Sequence, residues 1–224
     1  MITTVIFDMD GVIVDTEPMH REAFLQHFKL LNIEISNEIY ASFTGNSTKN
    51  VYQKIKDKFK IDDDIQTLIT AKRDLFNAAF DNNKELKLLN GVEALIKELH
   101  QNGMQLILAS SSAKVTINRI FQKFDLDRYF THKISGEDFE FSKPNPEIFN
   151  FAAKISGHSK KNCVVIEDST NGIKAAKAAG IFCIGYDSYH SKLQDYSLAD
   201  VVIFDFKKLN YDKITTINAI RNGL

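Results

Sequence analysis

Chemically active side chains follow several of the most apolar stretches of this 224-residue chain. Carboxylates that converge on one point repel each other unless a cation lies among them, and oxygen-only ligands favour Mg²⁺. Hydroxyls at a helix start can bind phosphate, and a lysine offsets charge on a transferring phosphoryl group. Such a set is typical of phosphoryl transfer. Its candidates are Asp8 and Asp10, Ser110, Ser111 and Ser112, Lys143, Glu167 and Asp168.

Each of these signals has a simpler interpretation when it is taken alone. The pair Asp8 and Asp10 would fit a solvated turn, and the serines of "ASSS" would fit an ordinary helix cap. Lys143 would fit an exposed surface lysine, and the acids of "IED" would fit capping residues. The simple interpretations become weak because all four signals occur in one chain, each after a candidate strand.

The elements that must position these residues are short apolar runs. The runs are rich in Val, Ile, Leu and Phe and do not alternate cleanly with polar residues, which is typical of parallel strands buried on both faces. In such a sheet, ligand sites lie beyond the carboxyl ends of the strands. The predicted strands are 3–8, 104–110, 162–168, 182–187 and 200–205, with a shorter candidate at 132–138.

Helical patterns lie between the predicted strands. The segment "GVEALIKELHQNG" has apolar residues at helical spacing and a stop at Gly103. A second helix runs from Pro146 to a stop at Gly157, and an alanine-rich one ends at Gly180. This alternation predicts a doubly wound α/β domain with a parallel sheet.

The segment between the first strand and the helix after Gly91 differs from the rest. It has helical spacing, as at Phe24, Phe28 and Leu31, and no convincing strand. We therefore predict an α/β core formed by residues 1–16 and 86–224, with an inserted all-helical cap domain at 17–85.

The composition argues against several classes of partner. The net charge is −1 and no dense basic block occurs, so nucleic acid is not expected as a partner. No secretory signal and no apolar stretch long enough for a membrane span is visible. Cys163 and Cys183 lie in apolar runs and are expected to be reduced core residues. We expect a cytoplasmic monomer.

The motifs "DMDGV" (8–12), "LASSS" (108–112), "SKPNPEIF" (142–149) and "VVIEDSTNGIKAA" (164–176) occur in this order. In this respect the chain resembles the haloacid dehalogenase superfamily, and the continuation "DGVIVDTEPMH" resembles its β-phosphoglucomutase-like branch. The resemblance implies the Rossmann-like α/β core of that superfamily with a small helical cap. The dehalogenase branch lacks a second acid at the place of Asp10, so the resemblance implies phosphoryl transfer.

The resemblance also implies roles for the core residues. Asp8 would be the nucleophile that forms an aspartyl phosphate, and Asp10 would be the general acid and base. The phosphoryl group would be bound by Ser110, Ser111 and Lys143. The cofactor would be Mg²⁺, held by Asp8, the backbone carbonyl of Asp10, Asp168 and the adjacent Glu167.

The helical cap of this branch closes over the site and recognises the leaving group, which here would be a small phosphorylated metabolite. The candidate substrate and cap residues are His20, Gly45, Lys49, Lys72, Ser112 and Asn145.

Two positions depart from the mutase pattern. Thr48, next to Lys49, stands where mutases carry an arginine for the second phosphate, and Ala113 stands where they carry a lysine. Lysine does not reproduce the bidentate grip of arginine. These departures favour a phosphatase, with sugar phosphates as the expected substrates, over a phosphoglucomutase-type isomerase. The third alternative, a non-catalytic phosphate-binding module such as a receiver-like domain, shares the acids and the lysine but lacks a cap.

Overall fold

A computed structural model describes residues 1–189 and 193–217 of the chain. Within these ranges, parallel strands form one sheet of six in the order β3-β2-β1-β4-β5-β6. The predicted parallel sheet is confirmed, including the shorter candidate strand. The strands are β1 (Thr4–Phe7), β2 (Gln105–Ser110), β3 (His132–Ser135), β4 (Cys163–Glu167), β5 (Phe182–Tyr186) and β6 (Val201–Ile203).

Helices cover both faces of the sheet, so its strands can be apolar on both sides. Successive side chains point to opposite faces. In β1, Val5 and Phe7 pack with helices α5 (Val92–Gln101) and α6 (Lys114–Lys123), whereas Ile6 packs with α7 (Glu147–Ser156) and α8 (Thr170–Ala178). The predicted stops at Gly103, Gly157 and Gly180 are confirmed. The last α-helix of the described ranges is α9 (Tyr211–Thr216).

The strand order reverses direction between β1 and β4, which are neighbours in the sheet. A crevice forms at such a switch point beyond the carboxyl ends of the strands, because the adjoining connections leave to opposite sides. Asp8 follows β1 directly, and Glu167 ends β4 with Asp168 next to it. The fold therefore places the predicted acids at the crevice where ligands of this architecture bind.

The segment between β1 and α5 forms helices α1 (Glu17–Leu30), α2 (Asn37–Ala41), α3 (Thr48–Phe59) and α4 (Ile65–Asn82). Most of its apolar side chains form a hydrophobic cluster of their own, which includes Phe24, Phe28, Tyr52 and Leu68. The start of α1 and the second half of α4 pack in the main core instead, through residues such as Met19, Ala23, Phe76 and Phe80. The change of cluster thus falls within α1 and α4, inside the predicted cap limits of 17–85.

No helix of the described ranges has both the length and the apolar character needed to cross a bilayer. Cys163 and Cys183 are both buried free thiols, as predicted for core residues.

Candidate active site

A buried lysine links the ends of three chain segments. Lys143 Nζ donates hydrogen bonds to Asp8 Oδ1 at 2.5 Å, to Glu167 Oε1 at 2.7 Å and to the carbonyl of Ala109 at 3.0 Å. Lys143 and Glu167 are 1% and 0% exposed, and Asp8 is 7% exposed. A charge buried this deeply needs paired partners. The triad therefore fixes Asp8 at the mouth of the crevice.

The two carboxylates and the ammonium change each other's protonation. Burial is the largest effect on Asp8, and together with the charges of Glu167 and Asp10 it raises the pKa of Asp8 to about 7 against the opposing charge of Lys143. Burial alone would lower the pKa of Lys143, but Asp8 and Glu167 outweigh it and raise that pKa. Lys143 thus keeps its charge and supplies the positive partner of the nucleophile candidate.

Asp10 has a different environment, in which several donors stabilise its charge. Ser112 Oγ donates to Asp10 Oδ2 at 2.6 Å, the His20 Nε2 lies 3.2 Å from Oδ1, and the hydroxyl of Thr16 also donates to Oδ1. Burial would raise the pKa of Asp10, but His20 and these hydrogen bonds hold it well below its usual range. Without substrate, Asp10 is therefore held as the carboxylate, whereas the neighbouring Asp8 takes up a proton more readily.

The serine loop after β2 connects the core to the helical segment. Ser110 is fully buried, and its Oγ accepts the backbone N–H of Ser112 at 3.0 Å and approaches Asp10 at 3.5 Å. Ser111 Oγ donates to the carbonyl of Gly45 at 2.7 Å. The loop runs directly into α6, so its amides and hydroxyls lie at a helix start, where phosphate binding is favoured.

The His20 ring contacts Lys72 through one nitrogen and Asp10 through the other. Lys72 Nζ lies 2.7 Å from His20 Nδ1, and Lys72 is only 3% exposed although it lies on α4. Burial, the largest effect, lowers the pKa of Lys72 to about 8. Burial and the Lys72 charge lower the pKa of His20, despite the nearby Asp10. The structure thus brings together both of these sequence-predicted cap residues and Asp10.

Two cavities adjoin this network. The smaller one, of about 50 Å³, is lined by Asp8, Asp10, Asp168, Gly45 and others. The larger one, of about 250 Å³, is lined by Lys49, Arg73, Glu137 and others. Both share wall residues, among them His20, Thr48, Lys72, Ser111 and Ser112. A ligand whose reacting group lies in the small cavity would therefore extend into the larger one.

Asn145, another candidate, lies outside this arrangement. It is not among the lining residues of either cavity, and its Oδ1 accepts the backbone N–H of Glu147 at the start of α7. Its role in the described structure is to shape the turn that follows Lys143.

The oxygen-rich side of the small cavity fits a hard cation. Asp8 and Asp168 both line it, and a Cβ on Gly11 would overlap the Asp168 carboxylate, so the loop carrying Asp10 passes closely over this acid. Glu167 is engaged elsewhere, because its Oε2 accepts Ser169 N–H at 2.8 Å and Ser169 Oγ at 2.9 Å. Within the described ranges, no three His, Cys, Asp or Glu residues are grouped closely enough to form a metal site from side chains alone.

Two residues at this site were not predicted from the sequence. Glu17 lines the small cavity, and burial together with Asp10 and Asp8 raises its pKa to about 8. Thr16 stands at the cap position before α1, but its side chain makes no capping hydrogen bond and donates to Asp10 instead. The run "DTEP" after the two aspartates is the only signal in the sequence that could have indicated them.

Comparison with known proteins identifies the class of this site. The family model of haloacid dehalogenase-like hydrolases matches residues 5–186, so the chain belongs to that family. A CBBY-like protein of Arabidopsis thaliana is 32% identical over 217 residues, which are 89% of this chain and 68% of that protein. The chain spans only 18% of a longer relative, SUPPRESSOR OF QUENCHING 1 of the same plant, at 30% identity over 82% of this chain.

Relatives with described activities are enzymes. The phosphorylated carbohydrates phosphatase of Thermotoga maritima is 28% identical over 84% of this chain and 85% of its own length. The crystal structure of β-phosphoglucomutase from Clostridium difficile matches with a TM-score of 0.83 and 26% identity, over 99% of this chain and 98% of that one. The chain is thus an enzyme of the phosphatase and β-phosphoglucomutase-like branch of the family.

Proposed function

We propose that the chain is a Mg²⁺-dependent phosphatase that hydrolyses a small phosphorylated metabolite, a sugar phosphate, through an aspartyl-phosphate intermediate. The observation that carries the proposal is the pair of unlike aspartates in one small cavity. Asp8 has Lys143 at 2.5 Å, and Asp10 has Ser112 at 2.6 Å and His20 at 3.2 Å. The sugar phosphate is suggested by the Thermotoga maritima relative, a phosphorylated carbohydrates phosphatase.

In the first half-reaction, a carboxylate oxygen of Asp8 attacks phosphorus and the bond from phosphorus to the ester oxygen breaks. Asp10 gives a proton to the leaving oxygen, so an alcohol departs and Asp8 carries the phosphoryl group. Because the pKa of Asp10 is low in the free site, Asp10 takes up this proton only when the negative phosphate lies beside it. Lys143 and the hydroxyls and amides of the loop 110–112 offset the negative charge on the phosphoryl oxygens.

In the second half-reaction, Asp10 is a carboxylate and takes a proton from water as the water oxygen attacks the phosphorus of the intermediate. The acyl phosphate bond breaks, inorganic phosphate leaves, and Asp8 regains its carboxylate. The proton taken up by Asp10 restores the acid form for the next turnover. The hydrogen bonds from Ser112, Thr16 and His20 direct the Asp10 carboxyl in both steps.

The residues present fit Mg²⁺ as the cofactor. Asp8, Asp168 and the backbone carbonyl of Asp10 would hold it, and when bound it would supply a positive charge that brings the phosphoryl group and Asp8 together. Glu167 would not bind Mg²⁺ directly, because its Oε1 accepts from Lys143 and its Oε2 accepts from Ser169.

The helical segment would act as the cap, residues 17–85. Its contacts with the core include Asn50 Nδ2 to Ser142 Oγ at 2.7 Å and Ser111 Oγ to the Gly45 carbonyl at 2.7 Å. These hydrogen bonds hold the helical segment against the core, and Gly45 and Ser111 also line the small cavity, so the segment would limit water access around the phosphoryl group. The larger cavity would then take the alcohol part of the substrate, with Lys49 and Lys72 in its wall.

The test is phosphate release from a panel of sugar and nucleotide monophosphates with Mg²⁺. We expect Asp8→Asn to abolish turnover of every ester while the circular dichroism spectrum stays unchanged. We expect Asp10→Asn to reduce kcat by about 10²- to 10⁴-fold, the usual contribution of a general acid and base. Appreciable turnover by a clean Asp8→Asn preparation would contradict the nucleophile assignment.

A phosphoglucomutase-type isomerase is the second candidate, favoured by the similarity to the Clostridium enzyme. It would use the same core residues but return the phosphoryl group to a sugar hydroxyl. The two are separated by testing β-glucose 1-phosphate with a catalytic bisphosphate primer. Isomer formation with little phosphate release would favour the mutase, and phosphate release without isomer would favour the phosphatase.

A further inference from the structure

An aromatic ring lies against the pair formed by His20 and Lys72. The Phe76 ring stacks on the His20 ring, with centroids 4.2 Å apart and planes inclined by 19°. The Lys72 ammonium lies 5.2 Å from the centroid of the same ring. Phe76 is 2% exposed and belongs to the hydrophobic cluster that also contains β1 residues. Phe76 therefore packs in the same hydrophobic cluster as the strand that ends directly before Asp8.

The orientation of the His20 ring decides what it can do for Asp10. A lysine ammonium only donates, so His20 Nδ1 must accept from Lys72 Nζ at 2.7 Å. In the neutral imidazole the proton then resides on Nε2, which faces Asp10 Oδ1 at 3.2 Å. A ring turned over about its Cβ–Cγ bond would present carbon atoms to Asp10 and to Lys72 instead.

We propose that Phe76 is a positioning residue for the proposed phosphoryl transfer: its flat face fixes the His20 ring so that the Nε2–H points at Asp10. The proposal rests on the proposed function only for its kinetic part. The two hydrogen bonds of His20 restrain the positions of its nitrogens but leave the ring free to rock about the line joining them, and a stacked neighbour removes that freedom. The Phe24 ring centroid also lies close to the Lys72 ammonium, at 4.4 Å, but it is Phe76 that stacks on the His20 ring.

The chain offers a matched control on the same helix. Phe80 lies one turn further along α4, stacks on Phe76 at 6.3 Å between centroids and is also buried, at 7% exposure. Its cationic neighbours are Arg119 at 4.8 Å and Lys123 at 5.6 Å, both on the core helix α6. Leucine at either position removes a buried ring from the same cluster, so the two variants should lose similar thermal stability.

The kinetic expectation separates the two positions. Phe76→Leu should lower kcat by about 10- to 100-fold, because a small displacement of a catalytic neighbour has that cost, with KM changed by less than about threefold. Phe80→Leu should keep kcat within about threefold of the wild type. Phe76→Tyr keeps the flat ring and should restore most of the kcat.

A second measurement does not depend on turnover. In protein labelled with [¹⁵N]histidine and free of substrate, the His20 signal, assigned by its loss in His20→Gln, should report the Nε2–H tautomer in the wild type and in Phe80→Leu. In Phe76→Leu the ring is free to turn over and break both hydrogen bonds, so the signal should report a mixture of tautomers. If that variant does not fold, Phe76→Met, with its larger unbranched side chain, replaces it in both measurements.

An unchanged tautomer together with an unchanged kcat in the Phe76 variant would overturn the proposal, as would an equal loss of kcat in Phe80→Leu. A wild-type protein that releases no phosphate from any ester would refute the proposed function. The tautomer comparison would still decide the role of Phe76 in that case.

Discussion

Replacing Lys143 by methionine tests the central electrostatic arrangement of the site. Methionine keeps most of the apolar stem of lysine but removes the charge that pairs with Asp8 at 2.5 Å and Glu167 at 2.7 Å. Two carboxylates would then share a buried space without a counterion, since both acids are less than a tenth exposed. Removing one partner of a buried pair costs about 3 to 5 kcal/mol of the free energy of unfolding.

That cost is large for a domain of this kind. Total stabilities are about 5 to 15 kcal/mol, so Lys143→Met should remove a large share of the free energy of unfolding. For a chain of this length, the melting temperature should fall by roughly 6 to 20 °C. The loss should be smaller at pH 5.5 than at pH 8, because Asp8, whose pKa is already raised to about 7, gains a proton as the pH falls.

Urea unfolding of the metal-free protein, followed by circular dichroism at both pH values, measures this effect. Lys97→Met is the control, because its ion pair with Glu93 lies on the solvent-exposed face of α5 and should have no measurable effect on the unfolding midpoint. The double variant Lys143→Met/Glu167→Gln removes one of the two stranded charges and should be more stable than the single variant at pH 8. A loss below about 1 kcal/mol, or a double variant no more stable than the single one, would refute the reasoning.

Two further predictions concern the groups around the site. Gly172→Ala should lower kcat at least about tenfold, because a Cβ there would overlap the Glu167 carboxylate that holds Lys143. This loss is expected although alanine favours a helix over glycine by about 1 kcal/mol. The control is Lys174→Ala, an exposed change on the same helix, which should leave kcat unchanged. The charged form of Lys72 is lost as the pH rises through its lowered pKa of about 8, so kcat/KM of the wild type should fall above that pH. Lys72→Met should start from a lower kcat/KM and show no such fall.

The fold could be predicted largely because its strands are buried on both faces. Such strands must be apolar throughout, which makes runs such as 162–168 visible without any alignment. The stops at Gly103 and Gly157 were visible for a related reason, since both adopt a positive φ that favours glycine. Burial and backbone geometry leave a local signature in the sequence.

The contacts between distant segments leave no such signature. The pair of Arg73 Nη2 and Glu137 Oε1 at 2.7 Å joins residues 64 positions apart that both line the larger cavity. Thr16 and Asn145 are polar residues in turns, and their type does not reveal that one points toward Asp10 and the other toward the start of α7. The direction of a side chain in a loop depends on tertiary packing that a single sequence does not specify.

The same contacts bear on the choice between hydrolysis and isomerisation. A mutase must hold a second phosphate while it returns the first, which needs cations free to face the larger cavity. In the wall of that cavity, Arg73 is paired with Glu137 at 2.7 Å, and Lys49 lies next to Thr48, which stands at the place of the mutase arginine. A second phosphate would have to break the Arg73 pair before it gained that charge, and Lys49 would bind it without the bidentate grip of arginine. Water needs no such grip, so these wall residues support the proposed phosphatase over the mutase, while the core around Asp8 and Asp10 would suit either reaction.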